Sequence, residues 1–87
     1  MKESDLEKKL VSHITKLGGI AYKFSSPNRR AVPDRLCVMP NGRVFFVELK
    51  APGKAPTPLQ QHEHCLLRAL GHTVLLIDSL EAIYAIA

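Results

Sequence analysis

Residues 32–50 constrain the fold of this chain more than any other stretch. They read Val32-Pro33-Asp34, then Arg35 to Arg43, then Val44-Phe45-Phe46-Val47-Glu48-Leu49-Lys50. The apolar runs predict two strands, Leu36–Met39 and Val44–Leu49, with Pro40-Asn41-Gly42 as the turn between them. Turn length decides what faces what. A two-residue turn on Asn41-Gly42 would set Asp34 opposite Leu49, so that Asp34 and Glu48 face different sides. A three-residue loop, type I with Pro40 and Asn41 central and a left-handed Gly42 to close it, suits these residues better. That register puts Asp34 opposite Glu48, and strand alternation puts Lys50 on the same face. Two carboxylates and an ammonium then converge at the end of an apolar hairpin, the expected active site.

The remainder of the chain supplies one small domain. Eighty-seven residues, 46% of them hydrophobic, suffice for a single core and leave dimerisation a reasonable expectation. No apolar run approaches the ~20 residues of a membrane span. The charged N-terminus lacks the apolar segment of a signal peptide. Cys37 and Cys65 have no paired spacing, as expected of reduced thiols in a cytoplasmic protein. The net charge of +4 is concentrated in the middle, where residues 23–54 hold seven basic side chains and only two acids, Asp34 and Glu48. A positive surface around two carboxylates suits a polyanion brought to a metal, whereas scattered charges would mean only a solvated surface.

A first helix is expected from about Ser4 to Leu17, with Leu6, Leu10, Val11, Ile14 and Leu17 as its apolar arc and Gly18-Gly19 as its stop. Ser4-x-x-Glu7 reads as a capping box, yet Glu7 falls within the apolar arc. It is a cap, or an additional carboxylate aimed at the site. Ile20–Phe24 predicts a strand. The loop 25–31, with Arg29 and Arg30, is a solvated connector or a phosphate contact. Both faces of the hairpin are apolar, which calls for a sheet flanked by helices. Thr57, Pro58 and Gln60 open a second helix with another capping box, and Leu59, Leu66, Leu67 and Leu70 are expected in the core. His62 and His64 stand two apart, on different faces, and read as surface histidines. A buried strand over Thr73–Ile77 and a last helix, Leu80 to about Ile86 capped by Asp78-x-x-Glu81, complete the order αβββαβα. The second helix is a crossover that makes the fourth strand parallel to the third. The last helix is apolar on nearly all sides, and a second copy of the chain is expected to cover it.

Asp34 and Glu48 offer hard oxygen ligands with no soft ligand nearby, which points to Mg²⁺ or Mn²⁺. Lys50 can orient a water or stabilise the phosphoryl transition state. Lys23, Arg29, Arg30, Arg35 and Lys54 are the candidate DNA contacts. The competing reading is a DNA-binding module without catalysis. No helix-turn-helix pattern supports a transcriptional regulator.

Pro33-Asp34 followed by Glu48-Leu49-Lys50 resembles the PD-(D/E)xK nuclease signature. More specifically, the chain looks like a stand-alone, phage-type VRR-NUC domain. The likeness takes in Glu7, Gly18-Gly19, the run Asn28 to Asp34, Glu48-Leu49-Lys50 and Leu59-Gln60. The resemblance implies that Asp34, Glu48 and the Leu49 carbonyl bind metal, that Lys50 is catalytic, and that Glu7 and Gln60 complete the site. It also implies a homodimeric endonuclease similar to Holliday-junction resolvases, with branched DNA as substrate. Ala31 departs from the glycine expected in many relatives, which bears on the conformation of that loop.

Overall fold

The computed structural model describes residues 1–87 and has the expected order: α1 (Glu3–Lys16), β1 (Ile20–Lys23), β2 (Arg35–Val38), β3 (Val44–Leu49), α2 (Pro58–Ala69), β4 (Val74–Ile77) and α3 (Leu80–Tyr84). The four strands lie in the order β1-β2-β3-β4. β1, β2 and β3 are antiparallel, and β4 joins β3 in parallel after the α2 crossover. No helix is long and apolar enough to cross a membrane.

The core lies on one side of this sheet. Cys37, Met39, Phe45, Val47, Leu49 and Ile77 meet Leu6, Leu10 and Ile14 of α1 and Ile83 of α3, all buried. The alternation of β3 explains the choice, because its odd-numbered residues carry this face and its even-numbered ones carry Phe46 and Glu48. α1 ends where Gly18 turns left-handed, at φ +87°. Gly19 then passes so close to β2 that a Cβ there would stand 2.8 Å from the Val38 carbonyl and 2.6 Å from the Met39 sulfur. Glycine is required at that crossing. Both cysteines are free, and burial pushes the Cys37 thiol up to about 11, which leaves it an inert core residue.

Several expectations about the helices change. α1 starts at Glu3 because the Asp5 carboxylate accepts from the Lys2 N–H at 3.1 Å. Ser4 therefore lies inside the first turn, and Glu7 has no part in the cap. Ser79, not Asp78, caps α3, accepting from the Ala82 N–H at 3.1 Å. α3 is only five residues long, with Ile83 in the core and Tyr84 edge-on to His13 at 5.3 Å between centroids. α1 and the sheet thus cover much of its apolar surface within one chain.

The largest difference concerns α2. Its buried residues are Glu63 and His64, while Leu59, Leu66 and Leu70 are exposed, Leu70 at 75%. α2 lies on the face of Phe46 and Glu48, away from the core, so its inward positions serve a polar site. Leu66, Leu67 and Leu70 line an open cleft of about 500 Å³ with Phe24, Val32 and Phe46. β4 is not fully buried either, since Leu76 on the same face is exposed.

Candidate active site

The β2–β3 ladder pairs Arg35 with Val47 and Val38 with Val44, so one step further it sets Asp34 opposite Glu48. The three-residue loop produces this register, closed by the Met39 N–H donating to the Arg43 carbonyl at 2.8 Å. Its conformation differs from the expected type I turn, since Asn41 as well as Gly42 is left-handed, at φ +67° and +78°. Asparagine tolerates that region through its short polar side chain. Asp34 is held from both sides. Its carbonyl accepts from the Phe24 N–H at 2.9 Å, extending the β1 ladder, and its Oδ2 accepts from the Leu49 N–H at 2.8 Å.

Glu48 is the electrostatic centre. Its side chain is 2% exposed, and Lys50 Nζ lies 3.8 Å from its Oε2. Burial most of all, then the neighbouring Asp34 carboxylate, push Glu48 up to about 7 against the pull of Lys50. Gln60 uses both ends of its amide. Oε1 accepts from the Thr57 N–H at 2.9 Å to complete the α2 capping box, and Nε2 donates to Glu48 Oε2 at 3.3 Å. The other carboxylate oxygen, Oε1, is buried with no hydrogen-bond partner. Two facing carboxylates with one oxygen free of partners are a donor set that fits a divalent cation.

Asp34 and Glu48 are therefore the side chains that could hold a divalent metal. No three His, Cys, Asp or Glu side chains stand close enough to cage one. Mg²⁺ does not require such a cage, since it is commonly bound through one or two carboxylates plus waters and substrate phosphate. Glu7 does not join the pair. It faces Arg35, whose Nε donates to Glu7 Oε2 at 3.0 Å and whose Nη1 donates to the Ala21 carbonyl at 3.0 Å. Glu3, an exposed acid at the start of α1, adds only a smaller upward push on Glu48 through its charge.

His64 is the residue that the sequence reading missed. It is buried, four residues beyond Gln60 on the same α2 face, with Nε2 3.7 Å from Glu48 Oε1. Burial, with Arg68 nearby, pushes it below the ordinary histidine value. The interval of four from a capping-box glutamine was the readable clue, and it outweighs the comparison with His62.

The expected DNA contacts divide into two groups. Lys23, Arg30 and Lys54 are exposed. Arg29 is exposed as well but already paired with Glu63, Nε to Oε2 at 3.1 Å and Nη2 to Oε1 at 2.6 Å. The guanidinium holds Glu63 below the usual carboxylate range. Arg35 is committed to Glu7.

No family model matches the chain. A curated protein named "Putative nuclease p44", from Acyrthosiphon pisum secondary endosymbiont phage 1, is 60% identical over 79 residues, covering 91% of this chain and 85% of that protein. A solved structure described as a VRR_NUC domain superposes with a TM-score of 0.91 at 31% identity, over 98% of this chain and 92% of its own. With shared sequence as well as shared fold, and nearly full coverage on both sides, the chain belongs to the VRR-NUC nuclease family.

Proposed function

We propose that the protein is a Mg²⁺- or Mn²⁺-dependent endodeoxyribonuclease that cuts branched DNA as a homodimer. The observation that carries the reading is the buried Glu48 carboxylate, with one oxygen unsatisfied, facing Asp34 and next to Lys50. In this reading Asp34, Glu48 and the Leu49 carbonyl hold the cation. When bound, the cation supplies charge to a phosphoryl oxygen and acidifies a water.

The other groups act on geometry and charge. The Leu49 N–H fixes Asp34, and Gln60 fixes one oxygen of Glu48. Lys50 places a positive charge where negative charge develops during phosphoryl transfer, and its ammonium can orient the attacking water. Lys23, Arg30 and Lys54 attract and position the backbone phosphates. Glu7 is assigned a supporting role through Arg35 rather than a place among the ligands.

The dimer reading now rests on the edge strand and α2 rather than on the last helix. β1 is an edge strand with Ile20 and Tyr22 about half exposed, and Leu66 and Leu70 add apolar surface on the same side of the sheet. A second copy would cover these and set two active sites about one two-fold axis, an arrangement suited to two strands of a junction. The test is purified protein with Mg²⁺ or Mn²⁺ against four-way junction, flap, duplex and single-stranded DNA, with sedimentation equilibrium alongside. Preferential cleavage of a branched substrate by a dimer supports the reading. Tight binding without cleavage in either metal would make the protein a DNA-binding module, and a 9.7 kDa species at all loadings would remove the paired cut.

A further inference from the structure

Two buried atoms of the site face each other without partners. Glu48 Oε1 and His64 Nε2 both lack a hydrogen bond. They stand 3.7 Å apart, on side chains that are 2% and 3% exposed. An unsatisfied buried polar atom is destabilising, so two side by side are costly in so small a domain. The gap is too long for a hydrogen bond, and a closure of about 0.8 Å would make one.

The helix makes this juxtaposition specific. Gln60 and His64 are one turn apart on α2, and each addresses a different oxygen of Glu48: Gln60 Nε2 reaches Oε2 at 3.3 Å, and His64 Nε2 faces Oε1. Gln60 is anchored by its capping bonds to Thr57. Resting on the nuclease reading above, we infer that His64 is a positioning residue for Glu48. In the neutral tautomer protonated at Nε2, it donates to Oε1 when the site is loaded. α2 then holds both oxygens, which fixes how the carboxylate is turned toward cation and substrate. Partners of this kind behind a metal-binding side chain typically change metal affinity or activity by about 10–100-fold when removed.

The experiment compares wild type with His64→Leu and His64→Gln. Leucine removes an unsatisfied buried nitrogen and keeps an apolar volume, so the fold is retained, which thermal melts verify. Glutamine restores a donor near the position of Nε2. Cleavage of a branched DNA in Mg²⁺ gives kcat and KM, and calorimetric titration with Mn²⁺ in the absence of DNA gives metal affinity. The expected result is a kcat and a Mn²⁺ affinity lowered about 10–100-fold in His64→Leu, with KM unchanged and near wild-type values in His64→Gln. Wild-type kcat and affinity in His64→Leu, or equal impairment in both variants, would overturn the inference. A second readout needs no substitution: ¹⁵N spectra of the Mg²⁺-loaded wild type should show the His64 proton on Nε2, and a proton on Nδ1 would overturn it. If wild type binds Mn²⁺ but cleaves no DNA, the nuclease reading alone fails, and the Mn²⁺ comparison still decides the role of His64.

Discussion

Asp34 and Leu49 are joined across the hairpin, the Leu49 N–H donating to Asp34 Oδ2 at 2.8 Å. The bond ties one carboxylate to the strand that carries the other. It also satisfies a main-chain donor of a residue that is 1% exposed. Asp34→Ala would orphan that donor and is expected to cost about 1–3 kcal/mol in urea unfolding. Asp34→Asn keeps an acceptor oxygen and should stay near wild-type stability. Equal stability of the two variants would mean that the bond contributes nothing.

The position of Glu48 makes stability depend on pH. In the unfolded chain its carboxyl ionises near the ordinary 4.5, whereas burial and Asp34 push it up to about 7 in the fold. Between those values the fold keeps a proton that the unfolded chain has lost. The group's contribution is therefore full below about pH 4.5, declines as pH rises to 7 and is flat above. In EDTA, wild type should lose about 5 °C or more of melting temperature relative to Glu48→Gln between pH 5 and pH 8. Mg²⁺ or Mn²⁺ should restore the loss at pH 8 and do little at pH 5. Parallel pH profiles for the two proteins would contradict this.

Ala31 sits at φ +63°, in the left-handed region where a Cβ is costly. The loop from Phe24 to Asp34 is held at both ends, so the strain persists. Ala31→Gly should stabilise the protein by about 1 kcal/mol, read as a higher urea midpoint at unchanged slope. A lower midpoint would mean that the loop gains more from alanine's restriction of the unfolded chain than it loses to strain.

The two loop arginines should behave differently toward DNA. Both are exposed, but the charge of Arg29 is matched by Glu63. Arg30→Ala should flatten the log–log salt dependence of DNA binding by about 0.9. Arg29→Ala should change it less. Equal slopes in both variants would show that the Glu63 pair opens on binding.

The hairpin was legible in the sequence because two independent signals coincide there. Alternation assigns each residue a face, and the length of the Pro40–Gly42 loop sets the pairing, so Asp34 opposite Glu48 follows even though Asn41 adopts an unforeseen conformation. α2 was misread for the converse reason. Its leucines form an apolar arc, but amphipathic spacing does not say whether that arc meets a core. Here the core is already filled by α1 and α3, and the inward face of α2 carries Gln60, Glu63 and His64. A buried histidine and a surface histidine look alike in sequence until their neighbours are known. Glu7 illustrates the same limit: its arc position was correct, but its partner is Arg35, a residue of β2 that only the folded register brings to it.

Cleavage of a labelled four-way junction by wild type and Glu48→Gln, each in Mg²⁺ and again with excess EDTA, tests the central claim most directly. The site described here predicts cleavage by wild type in Mg²⁺ only, and none by Glu48→Gln in either condition despite a fold at least as stable. Cleavage by wild type in EDTA, or by Glu48→Gln at the wild-type rate, would contradict it.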